Sequence, residues 1–124
     1  MVSESRSVRI AERIKVELSL LFLQEINDPR LDGVNITSVN LDREISFADI
    51  YISALDGSER KNEIMAAVNK AAGFIRSQLA SSISHLRSFP QVRFHWDPIP
   101  DRVNRMDQIF AELDEEDEYK ELDE

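Results

Sequence analysis

Apolar residues return every three or four positions from residue 5 to residue 26, a spacing that predicts an amphipathic helix. Ile10, Ala11, Ile14, Leu18, Leu21, Phe22 and Ile26 fall within an arc of roughly 160° at 100° per residue, and that arc is the core face. A narrower stripe of Val16, Leu20 and Leu23 predicts contact on a second side, with structure or with a partner. Asn27-Asp28-Pro29 stops the helix, because proline disfavours the helical conformation in the residue before it and has no N–H to donate.

The period then changes from 3.6 to 2. Val34 to Leu41 alternates as a strand, with an apolar phase slip that predicts a bulge near Thr37-Ser38. Ala48 to Ala54 alternates cleanly, even positions inward, and Asp42 to Ser46 is long enough to join the two as an antiparallel hairpin. Asp56-Gly57-Ser58 is a turn. Ile64, Val68, Ala72, Ile75, Leu79 and Ile83 then mark a helical face more than five turns long, with Ala71-Ala72-Gly73 in its middle. Glycine in a helix interior costs roughly 1 kcal/mol relative to alanine. The expectation is therefore two helices meeting at a small-residue kink, with Gly73 capping the first or bending the pair. On spacing alone this reads as a helix C-cap without a function; the sharper alternative makes the second helix's free N–H groups an anion site near Lys70 and Arg76.

A third strand follows over Gln91 to Trp96, with Val92, Phe94 and Trp96 on one face, and Asp97-Pro98-Ile99-Pro100 ends it. Val103, Met106, Ile109 or Phe110, and Leu113 predict a short last helix. From Asp114 onward acidic residues dominate, and such a segment buries too little apolar surface to offset its ordering entropy. The expected organisation is a folded body over residues 1–113 and a disordered acidic tail over 114–124. The order helix, strand, strand, helix, kink, helix, strand, short helix describes an α+β layer with a three-stranded sheet packed on helices. That order matches a type II KH-like domain, although the GXXG loop of a standard KH junction is replaced by Ala71-Ala72-Gly73.

Charge changes the picture at one point. The net charge is −9, yet residues 1–110 hold 14 basic against 15 acidic side chains, while residues 111–124 hold 1 against 9. The body is nearly neutral, so whether it takes a polyanion depends on how its cations cluster. Arg6, Arg9 and Arg13 lie within about 60° on the first helix, flanked by Glu12 and Glu17. The longest apolar run, Leu20 to Leu23, cannot span a bilayer, and the polar N-terminus carries no apolar signal region, so a cytoplasmic location is expected. The absence of cysteine fits a reducing compartment and removes thiolate catalysis, zinc–cysteine sites and disulfides.

Enzymatic candidates are few. His85 and His95 lie near Ser81, Ser82, Ser84 and Asp97, without a Gly-x-Ser-x-Gly elbow, a phosphate-cradling glycine loop or metal-ligand histidine spacing. Asp42 and Glu44 read as turn residues, and His95 as an outward strand position.

Several stretches in fixed order resemble the ribosome-binding factor A family. They are Arg9-Ile10-Ala11, Asp28-Pro29-Arg30-Leu31, Ile36-Thr37-Ser38-Val39, Ala48 to Ser53, Ala72-Gly73-Phe74-Ile75-Arg76, Leu86-Arg87 before Phe89-Pro90, and Phe94 leading to Asp97. The resemblance covers roughly residues 6–113. It implies a type II KH fold with a small-x-Gly kink at Ala71, Ala72 and Gly73, and binding to the maturing small ribosomal subunit and its rRNA in support of late processing, particularly in the cold. It implies a non-catalytic monomer with no cofactor, no small-molecule substrate and no membrane partner, in the cytoplasm or in an organelle. Pro90-Gln91-Val92 departs from the family's usual Pro-Glu-Leu, and the acidic tail from the mixed or basic tails of many relatives. The cations expected at RNA are Arg6, Arg9, Arg13, Arg30, Lys70, Arg76 and Arg87, although Arg76 is equally placed to brace the kink by bonding to carbonyls. The alternative function is a protein–protein adaptor of the same fold, acting through the Val16, Leu20, Leu23 stripe and the tail.

Overall fold

Pro29 turns the chain out of the first helix, α1 (Glu4–Gln24), into one turn of 3-10 helix, Pro29–Leu31, in the computed structural model, which describes residues 4–84 and 86–122. The Asp28 carboxylate accepts the N–H of Arg30 at 3.0 Å and so caps this turn. Gly33 follows at φ +78°, a left-handed conformation that favours glycine, and its carbonyl accepts the N–H of Leu55 at 3.0 Å.

Strands β1 (Val34–Leu41) and β2 (Phe47–Ala54) pair antiparallel, from Val34 opposite Ala54 to Leu41 opposite Ala48. The bulge lies where the phase slip predicts it: Ile36 faces Ile52 and Ser38 faces Tyr51, with Thr37 between them. Beyond it Ala48, Ile50, Ile52 and Ala54 all point inward and are buried. Strand β3 (Gln91–Trp96) adds to the other side of β2 in parallel, giving the order β1-β2-β3. A parallel neighbour needs a crossover, and helix α2 (Lys61–Ser82) supplies it. The core forms where α1 and α2 lie on one face of the sheet, with Ile14, Leu18, Ile50, Ile52, Ile64, Val68, Ile75 and Leu79 essentially inaccessible. Each such side chain contributes roughly 1.5–3 kcal/mol.

Two expectations need correction. Helix α2 is a single unbroken helix through Ala71, Ala72 and Gly73, and Gly73 is not among the glycines at positive φ. It caps nothing, and no second helix N-terminus exists there to bind an anion. The glycine penalty of about 1 kcal/mol is small beside the burial of Ile64, Val68, Ile75 and Leu79 on the same helix. The last helix, α3 (Ile99–Leu122), is long rather than short and takes in most of the acidic segment expected to be disordered. Helical hydrogen bonds close within the segment, so a run without glycine or proline after Pro100 can be helical with no core beneath it. Its apolar residues stay in solvent accordingly: Val103, Met106, Ile109, Phe110 and Leu113 are all about half exposed. Asp97 launches it, accepting the N–H of Ile99 at 3.0 Å through one carboxylate oxygen while the other lies 2.7 Å from the Thr37 hydroxyl in the bulge.

Candidate nucleic-acid interface

The arginine stripe of α1 survives folding as a surface feature. Arg6, Arg9 and Arg13 are exposed and line one depression beside Ile10. Glu17 accepts a hydrogen bond from Arg13 Nε at 3.1 Å, the flanking neutralisation that the sequence suggests. Arg6 also lines a second depression with Glu44, Ile45 and Ser46 of the β1–β2 turn and with residues 86–91, which include Arg87. Arg6 therefore joins the α1 stripe to Arg87 along one cationic edge.

That edge is fixed from below. The Asp42 carboxylate accepts the N–H groups of Ser46 at 2.8 Å and Phe47 at 2.7 Å, which closes the turn and holds Asp42 below the usual carboxylate range. Within it Ile45 adopts φ +56°, an uncommon conformation for a β-branched residue, and is buried. Burial of the side chain opposes a backbone strain of order 1–3 kcal/mol. On the other wall Phe89 and Pro90 are buried, and Arg76 anchors them: its guanidinium donates to the carbonyls of Pro90 at 3.1 Å and Phe89 at 2.7 Å. Arg76 is thus a brace between α2 and the approach to β3.

Arg30 and Lys70 form a separate group around the Asp28 carboxylate. Arg30 grips it through two nitrogens, the closer at 2.7 Å, and that pairing, with a smaller contribution from the Lys70 charge, holds Asp28 below its ordinary range. Arg60, which the sequence reading overlooked, locks the same turn by donating to the carbonyls of Arg30 at 3.1 Å and Asp32 at 2.8 Å while pairing with Asp56 at 2.9 Å. Between these groups α2 presents Gly73 to solvent, with no atom beyond its chain neighbours and its own helix backbone within 4 Å of where a Cβ would stand. Phe74 beside it is 49% exposed. The place expected for a kink is open to close approach although the helix is unbroken.

The enzymatic candidates do not assemble. His95 is held by Asp49 at 2.7 Å rather than by Asp97, whose carboxylate is engaged by Thr37 and Ile99. Ser81 donates to the Ser77 carbonyl, and His85 lies outside the described residues. The Asp49 cluster itself was missed. Arg93 donates to both oxygens of Asp49 at 2.8 and 3.0 Å and covers the Phe47 ring at 4.2 Å, while Tyr51 stacks on His95. Bonds from Arg93 chiefly, then His95, hold Asp49 below the ordinary carboxylate range. The signal was the alternation of 47, 49 and 51 against 93 and 95, legible only once β2 and β3 are known to be parallel neighbours.

The family model for ribosome-binding factor A matches residues 6–110. The chain belongs to the ribosome-binding factor A family. Its relative from Chromohalobacter salexigens, named ribosome-binding factor A, is 38% identical over 86% of this chain and 82% of its own length. The solution structure of a Thermotoga maritima protein assigned to ribosome-binding factor A is 32% identical, with a TM-score of 0.65 over 77% of this chain and 90% of that one. A Thermus thermophilus ribosome-binding factor A fitted into a cryo-EM map of its complex with the 30S subunit shares the fold, at 24% identity and a TM-score of 0.56 over 68% of this chain and 87% of that one. Among the described residues, no helix is long and apolar enough to cross a membrane.

Proposed function

We propose that this chain is an assembly factor of the small ribosomal subunit, binding the maturing particle through rRNA phosphates and supporting late rRNA processing without catalysing a step itself. The observation that carries the reading is the convergence of Arg6, Arg9 and Arg13 with Arg87 along one edge of a nearly neutral body. Membership of the family and a relative described in complex with the 30S subunit supply the partner. Phosphate contacts of this kind are additive and indifferent to sequence, which suits a factor that grips a folded RNA surface. Lys70, Arg30 and the open strip at Gly73 form a secondary contact in this reading, whereas Arg76 acts through its loop. Such a factor works as a monomer where ribosomes are assembled, in the cytoplasm or inside an organelle, and its demand is greatest in the cold.

The adaptor reading has its own observation: Val16, Leu20 and Leu23 stand 54%, 42% and 82% exposed on α1. Salt separates the two. Cosedimentation with isolated small subunits, large subunits and whole ribosomes at two salt concentrations should show selective capture by small subunits that weakens steeply with salt, and Arg6→Gln with Arg87→Gln should flatten that dependence. Salt-insensitive capture lost with Leu20→Ser and Leu23→Ser would favour the adaptor.

A further inference from the structure

We infer that the outer face of the β2–β3 pair is a stacking surface for unpaired RNA bases, entered from the depression that Arg6 and Arg87 line; the inference rests on the RNA-binding reading above. Helices α1 and α2 cover the face that holds Ala48, Ile50, Ile52 and Phe94. The opposite face is open: Phe47 is 39% exposed, and the side chains of Arg93 and His95 are 50% and 40% exposed. An open sheet face needs only polar residues to be stable in water. This one carries the rings of Phe47, Tyr51 and His95 and a guanidinium over one of them.

Their arrangement favours bases. The Tyr51 and His95 rings stack with centroids 5.0 Å apart and planes 27° from parallel, close to the distance between adjacent strands, so the stack runs across the sheet. Its outer member stands on β3, which among the described residues is an edge strand. An unpaired base added at that edge would extend the stack. Asp49 fixes both Arg93 and His95 through hydrogen bonds, so little side-chain freedom is left to lose on binding. The path to the cations is continuous: Gln91, which lines the depression with Arg6 and Arg87, is the direct neighbour of Phe47, and Ser46 precedes Phe47 in the same depression. A strand held by its phosphates at Arg6 and Arg87 would pass onto Phe47 and Arg93, then His95. Duplex RNA would not, because its bases are already stacked on one another.

The test compares the double variant Phe47→Leu with His95→Gln against wild type. Leucine keeps apolar area, and glutamine places an amide donor where the His95 Nε2 meets Asp49, but both rings are gone. Affinities are measured for a labelled mixed-sequence single-stranded RNA and for the duplex made from it, across salt. Binding of the single strand should weaken roughly tenfold with an unchanged salt slope and unchanged duplex binding. No loss, or an equal loss on both RNAs, overturns the inference. Loss of small-subunit capture with RNA affinity intact also overturns it and assigns the face to a protein. Should the variant not fold, photo-crosslinking of wild type to a strand carrying 4-thiouridine decides: adducts within 47–51 or 93–96 support the inference, and adducts confined to α1 and 86–90 overturn it. Sheet adducts together with a salt slope indifferent to Arg6→Gln and Arg87→Gln would sink the cationic edge alone.

Discussion

Arg76 illustrates how a side chain with the right charge in the right stretch is consumed by the fold. Its two bonds to the Phe89 and Pro90 carbonyls fasten the segment that forms one wall of the cationic edge. Arg76→Ala should lower stability by roughly 1.5–3 kcal/mol in urea denaturation, the range for hydrogen bonds made by a charged group, and Arg76→Lys should fall between because one ammonium cannot reproduce the fork. An Arg76→Ala protein that unfolds like wild type yet loses RNA would reverse the assignment. Gly73 separates fold from contact more cleanly. With open space around a Cβ and an ordinary helical backbone, Gly73→Ala should raise stability by up to about 1 kcal/mol, whereas Gly73→Gln should keep the helix and weaken small-subunit capture. Residue type alone singled out both. It could not tell a brace from a contact, because the carbonyls that Arg76 meets lie 13 and 14 residues away.

Among the elements, the three strands and α1 were legible because their periods are unambiguous, and even the bulge at Thr37 showed as a slip of phase. The long second helix was misread as two, since local propensity registers the glycine while the buried face that outweighs it is a property of the assembled core. Helix α3 was misjudged in the opposite sense: sparse apolar content argued against order, but a helix satisfies its own backbone. Truncation after Leu113 tests what its acidic end does. The body should melt at the wild-type temperature, because the side chains described on this helix between Arg102 and Asp114 are exposed, and binding of unrelated RNA should tighten at low salt with the difference shrinking as salt rises. Unchanged affinity at every salt concentration would remove the tail from any role in screening RNA.

For the whole molecule, charge is organised by position more than by amount. Asp28, Asp42, Asp49 and Asp56 all sit below the ordinary carboxylate value of 3.8, each because it accepts hydrogen bonds that the unfolded chain lacks. A carboxylate lowered on folding contributes stability that is complete above its unfolded pKa and is lost as pH falls through the folded one. Thermal unfolding temperature should therefore be nearly flat from neutrality to about pH 5 and drop below about pH 4. Asp49→Asn should reduce that acid sensitivity, and a profile unchanged by the substitution would show that the Asp49 cluster is not part of it. The sequence by itself determined the element types, the inward faces, the near-neutral body and the family, because periodicity and residue order are local and cumulative. Only the tertiary structure decided which cations share an edge, that Arg76 faces inward to carbonyls, and that β2 and β3 lie side by side to assemble an aromatic face. Those relations join residues tens of positions apart, and they exist only once burial of the core has fixed which strands and helices touch.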